Sequence, residues 1–188
     1  MNEYCLSYDF YIKKILKKIN PQARISKELL ESINSIINKL SKKFIKESSI
    51  LSDKKIKIDN LLEIIPFILT GDLNKLCIEF SKKTLKRYRR SLRTNPERMN
   101  NATRSKLIFP PSKARKLMEK HSCKLFTRDN FSILLASIIE FFIYELLDIT
   151  FDKSLKNNSN NLNYEYFNLA INDDLDMKEF LLNINFRI

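Results

Sequence analysis

One glycine, Gly71, serves a chain of 188 residues. Tight hairpins and glycine-rich phosphate cradles need backbone at positive φ or a very close approach, so neither can organise this protein. Helices remain, and an apolar content of 44% is enough to build a core around them. The cysteines, Cys5, Cys77 and Cys123, are odd in number and never form a C-x-x-C pair. Neither a disulfide framework nor a zinc site is implied, and they read as small core residues in a reducing compartment.

Helical periodicity divides the chain into two similar series. Tyr8 to Lys18 suits a short helix closed by Asn20-Pro21. Ser26 then caps a long helix with Leu29, Ile33, Ile36, Ile37, Leu40 and Phe44 at helical spacing. A basic loop leads to a short helix over Asp59 to Leu69, and a fourth runs from Gly71 to about Tyr88, with Leu73, Leu76, Cys77, Phe80 and Leu85 inward. The second series is a short helix from Pro110 to Lys120, a long one from Asp129 to Leu155, the polar loop KNNSNN, a short helix from Tyr164 to Asn172, and a short strand over Ile184 to Phe186. Each long helix is apolar on more sides than its short neighbours cover, so each needs a partner, and the other copy can supply it.

Charge is divided unevenly. The net charge is +12, but residues 1–106 hold 24 basic and 11 acidic side chains while 107–188 hold 10 and 11. Such a balance favours a polyanionic partner, nucleic acid before an anionic membrane surface. The most apolar stretch, Phe131 to Ile149, carries Glu140, Glu145 and Asp148, which suits a buried helix better than a membrane span. The N-terminus lacks the basic start and apolar run of a signal peptide. Between the halves, Arg87 to Lys106 is polar, cation-rich and interrupted by Pro96, and reads as an exposed connector or an extended DNA-contacting strap.

Particular strings carry a family resemblance. SYDFYIKKILKKINPQARISKELLESINSIINKL followed by FILTGDLNKLCIEFSKKTLKRY resembles histone 2B through its first, long and C-terminal helices. LIFPPSKARKLM, LLASIIEFFIYELLDI and YFNLAINDDLDMKEFLLNI resemble histone 2A. Phe109-Pro110, Thr70-Gly71-Asp72 and Ala170 to Asp174 stand at family spacing. The order, 2B then 2A, resembles the viral histone doublets of giant DNA viruses. The resemblance implies an all-α fold of two tandem histone folds forming an intramolecular handshake pseudo-heterodimer: residues 1–91 like histone 2B, 92–106 a basic linker, and 107–188 like histone 2A.

That family implies a DNA-packaging protein, neither an enzyme nor a cofactor binder. It would wrap double-stranded DNA in nucleosome-like particles with partners like histones 3 and 4, themselves free or fused, in the virion and in the host nucleus or viral factory. Phosphates would be held by paired loops, Lys54, Lys55 and Lys57 beside Lys124 and Arg128, and Arg24 and Lys27 beside the KNNSNN loop. A central site would join Lys13, Lys14, Lys17 and Lys18 to Lys113, Arg115 and Lys116. An acidic patch would gather Asp72, Glu140, Glu145, Asp148, Asp174 and Asp176, or these acids merely solubilise their helices.

Departures from the family matter as well. Asn161 stands where histone 2A offers the minor groove an arginine, so that loop pair is expected to grip weakly. Only about seven residues precede the first helix, and the chain stops just past Ile184 to Phe186, so the basic N-terminal tail and the long docking tail are expected to be missing and the particle to be less stable. Catalysis finds little support: the single histidine, His121, ends a lysine-flanked helix away from any cysteine or carboxylate motif. A histone-fold transcription or chromatin-associated DNA-binding module is the alternative.

Overall fold

A computed structural model describes residues 7–50, 62–94, 99–121 and 129–186. The first half contains α1 (Asp9–Ile19), a two-residue strand β1 (Arg24–Ile25), the long α2 (Lys27–Ile50), the short α3 (Ile65–Ile68) and the long α4 (Gly71–Thr94). A short α5 (Asn101–Ser105) precedes α6 (Pro111–His121), the 28-residue α7 (Asp129–Lys156), β2 (Asn161–Leu162), α8 (Tyr164–Asp173) and α9 (Leu175–Asn183).

Local chemistry sets the helix ends. Ser26 Oγ accepts from the Leu29 amide at 3.3 Å, as its N-cap position requires, and Asn100, Asn163 and Asp174 do the same for α5, α8 and α9. With one glycine available, other residues take the left-handed position that closes a helix: Lys106, Asn158 and Asn185 have φ of 60°, 53° and 57°. Each is followed by an amide that reaches back five residues, Leu107 to Ala102, Ser159 to Ser154 and Phe186 to Leu181, the Schellman arrangement. The strand expected over Ile184 to Phe186 is therefore the C-terminal cap of α9. Isoleucine, asparagine and phenylalanine alternate as a strand would, but asparagine tolerates the left-handed turn and Phe186 folds back onto the core.

The two long helices clasp each other antiparallel. β1, just before α2, pairs in parallel with β2, just after α7, with Arg24 opposite Asn161 and Ile25 opposite Leu162. Farther along α2, Phe44 meets Phe131 near the start of α7, ring centroids 6.4 Å apart. Every residue from Phe131 to Ile143 is buried, because α7 is covered on different sides by α1, α2 and α4 of the first half and by α6 and α8 of its own. The short helices are exchanged as well: α1 packs on α7, and α6 on α2. One hydrophobic core runs through both halves, so neither half has a core of its own. This is the intramolecular handshake.

The described parts of the stretch between the halves, residues 87–94 and 99–106, are more ordered than an extended strap. Arg87 to Thr94 continue α4, and the buried Arg104 of α5 donates to Ser91 O at 3.0 Å and Met99 O at 3.1 Å. Leu76, expected inward, is instead exposed on α4. Cys77 is buried, and desolvation pushes its thiol far above the usual range; Cys5 and Cys123 lie outside the described residues. No helix among these residues is long and apolar enough to cross a membrane.

Candidate nucleic-acid interface

Helix α1 turns Ile12, Ile15 and Leu16 into the core and leaves Lys13, Lys14, Lys17 and Lys18 exposed. Asn34 of α2 fixes its start, accepting from the Tyr8 amide at 2.7 Å and donating to Asp9 at 2.6 Å. The Tyr8 and Tyr11 rings then meet Phe109, with centroids 5.2 and 5.8 Å away, immediately before α6. This contact sets the start of α1 against the lead into α6, whose first turns carry Lys113, Arg115 and Lys116. Lys17 also closes the loop that leads to β1, since its ammonium donates to Pro21 O at 2.6 Å and to Ala23 O at 2.9 Å.

The paired loops form a second cationic point. Backbone bonds bind them, among them Arg24 N to Asn160 O at 2.8 Å and Ser26 N to Leu162 O at 2.9 Å. The Arg24 side chain is exposed there, and Lys27 stands close by within 3.7 Å of Glu31. Asn161 contributes no charge, and Lys153 at the end of α7 is ion-paired with Asp173. Lys54, Lys55, Lys57, Lys124 and Arg128, expected to pair at the opposite end, lie outside the described residues. His121 ends α6, half-buried.

The acidic residues divide into three kinds. Glu140 is a correction to its expected place in an acidic patch or as a solubilising acid: it is only 8% exposed, and accepts from the amides of Ile108 at 2.6 Å and Phe109 at 2.8 Å. Burial raises its pKa, while those amides and the charge of Lys18 oppose the rise. Asp176 binds the amide of Asp72 at 2.9 Å and so caps α4 from the other half of the chain, while Asp72 pairs with Lys75 at 2.8 Å, which holds its carboxyl low. Glu145, Asp148 and Asp174 form the third group. Glu145 titrates high through burial, then through the nearby charges of Asp148 and Asp174; Asp148 rises through burial and Asp152. Leu175, 78% exposed, stands beside them.

Two further contacts between the halves have no signal in the sequence. Lys39 of α2 donates to Asn185 O at 2.6 Å and lies 5.3 Å from the centre of the Phe186 ring. Thr70 donates to Glu179 at 2.9 Å. The partners are separated by 146 and 109 positions, and no local motif links them.

This architecture has a relative among known proteins. The chain is 25% identical over 171 residues to the histone doublet of Melbournevirus, a mini-histone 2B with histone 2A, covering 90% of this chain and 89% of the relative. The chain is a doublet of histone folds. The doublet resembles the viral kind over nearly its full length. No protein-family model matches it.

Proposed function

We propose that the doublet packages viral DNA, holding duplex phosphates without reading bases and winding them into nucleosome-like particles. The observation that supports this reading is the handshake itself, which packs the start of α1 against the lead into α6 through Tyr8, Tyr11 and Phe109, so that cations carried by both helices can meet one duplex. Phosphate contacts position a duplex but carry no sequence information. Covalent linkage makes pairing of the halves intramolecular, at an effective concentration of roughly millimolar, and fixes their ratio at one to one. A partner like histones 3 and 4 would dock on the first half, where Phe67 of α3 is 65% exposed and Leu92 of α4 is 47% exposed. The site of action is the virion and the infected cell, with no catalytic role.

Binding of two unrelated 30-base-pair duplexes over a range of salt concentrations tests this reading. Affinities should agree within a few-fold and fall steeply with salt. Replacing Lys14, Lys113 and Lys116 by glutamine should make the logarithmic salt slope shallower by about 3, near 0.9 for each lost phosphate contact. A strong preference for one duplex, or affinity indifferent to salt, overturns it.

A further inference from the structure

The C-terminal half of α4 carries seven cations and no carboxylate between Phe80 and Thr94. Lys82, Lys86, Arg89 and Arg93 recur at intervals of four, three and four, so they form one stripe, with Arg90 beside it. All five are exposed and line a groove of about 610 Å³. Among the described residues none of them is ion-paired.

The opposite face of α4 is fully engaged. Leu73, Cys77, Ser81, Thr84, Leu85 and Tyr88 are buried, and Ser81 meets Ser137 of α7 hydroxyl to hydroxyl at 3.1 Å. Arg104 braces the end at Ser91. The helix is thus held with its cations outward. Like charges three and four residues apart destabilise a helix, and the macrodipole favours cations only in the last turn. A merely solubilising surface would intersperse acids, as the first turns of this helix do with Asp72, Lys75 and Glu79.

We infer that this stripe is a second phosphate-binding surface, which takes double-stranded DNA on a segment separate from the one at α1 and α6. From Lys82 to Arg93 the helix rises about 16 Å. Phosphates of one strand recur about every 3.4 Å of duplex axis, so the stripe spans about five of them. One chain then joins two neighbouring duplex segments, which compacts DNA beyond what a single wrapped path achieves. The ligand rests on the packaging reading; the residues are separate from those that reading uses.

The test mixes the full-length doublet with donor-labelled and acceptor-labelled 30-base-pair duplexes and reads energy transfer between them. The wild-type chain should bring the duplexes together. Joint replacement of Lys86, Arg89, Arg90 and Arg93 by glutamine, all on the exposed face, should cut the transfer at least five-fold, with helical content unchanged and affinity for a single duplex falling by less than the transfer does. Lys82→Gln alone should give a smaller loss. Wild-type chain that binds one duplex without joining two, or a fourfold variant that joins them as well as wild type, overturns the inference and leaves the packaging reading standing. A stripe whose loss abolishes capture of polyglutamate but spares transfer also overturns it, reassigning the surface to an acidic protein. Failure to bind even one duplex removes the packaging reading itself.

Discussion

The Asp176 carboxylate accepts a hydrogen bond from the Asp72 amide at 2.9 Å, across 104 positions of sequence. The first turn of α4 is thereby closed by the other half of the doublet. Gly71 makes this possible: its φ is +58°, and a β-carbon there would run into the same carboxylate. Gly71→Ala should destabilise the doublet by about 1–3 kcal/mol, through strained backbone and collision together. Asp176→Ala should cost about 1 kcal/mol as a lost cap. Because the collision disappears with Asp176, thermal melts of the double variant should show a smaller loss than the sum of the two; strict additivity would count against the contact.

Glu140 acts as an internal brace. Glu140→Leu would leave the Ile108 and Phe109 amides without their acceptor, at about 2–4 kcal/mol in total, whereas Glu140→Gln keeps an oxygen like the one on which both amides converge and should lose well under half as much. Denaturant midpoints of the two variants test this. Equal midpoints would show that the carboxylate does not support the lead into α6.

Three carboxyls, Glu140, Glu145 and Asp148, are raised in the folded doublet. The fold therefore binds protons more readily than the unfolded chain, and stability gains as pH falls from neutrality through their folded values. Asp72 and Asp173, lowered by Lys75 and Lys153, act in the opposite sense: their contribution is present above the ordinary carboxylate range and is lost as pH falls through their folded values. The Tm should hold or rise from pH 7 to about 5 and drop below about 4, near ordinary carboxylate values. Glu145→Gln should stabilise the protein at pH 7 by about 0.2–0.5 kcal/mol, the scale of a relieved like-charge pair. A Tm that falls steadily from pH 7 contradicts this.

Asn161 faces Arg24 in the paired strands. Asn161→Arg adds an exposed cation to a loop pair where Lys27 lies near Glu31 and Lys153 is already tied to Asp173. The variant should remain on duplex DNA to higher salt, with a logarithmic slope steeper by about 0.9. An unchanged salt midpoint would show that this end does not touch phosphate.

Much of this architecture is legible in the letters. The apolar spacing of α2 and the largely apolar α7 each demand a partner, and Ser26 and Asn20-Pro21 mark boundaries that the structure respects. The pairing of Arg24 with the loop around Asn161 follows from the family resemblance. Glu140 is less legible, since a carboxylate on a surface and one that braces two amides share a letter; the amides lie 31 and 32 positions away. Asn185 is similar, because the choice between strand and left-handed cap depends on where Phe186 finds apolar cover, and that cover includes Phe167 of α8, ring centroids 6.4 Å apart. The cations of α4 are visible as a charge run, but only the helix, continued to Thr94, aligns them into a stripe.

Nuclease digestion of DNA reconstituted with the doublet and a partner like histones 3 and 4 tests the packaging claim most directly. A wrapped particle predicts one long protected fragment of fixed length, shortened or lost when the α1 and α6 lysines are replaced by glutamine. A short footprint, or none, would contradict it and favour a transcription or chromatin-associated module built on the same fold.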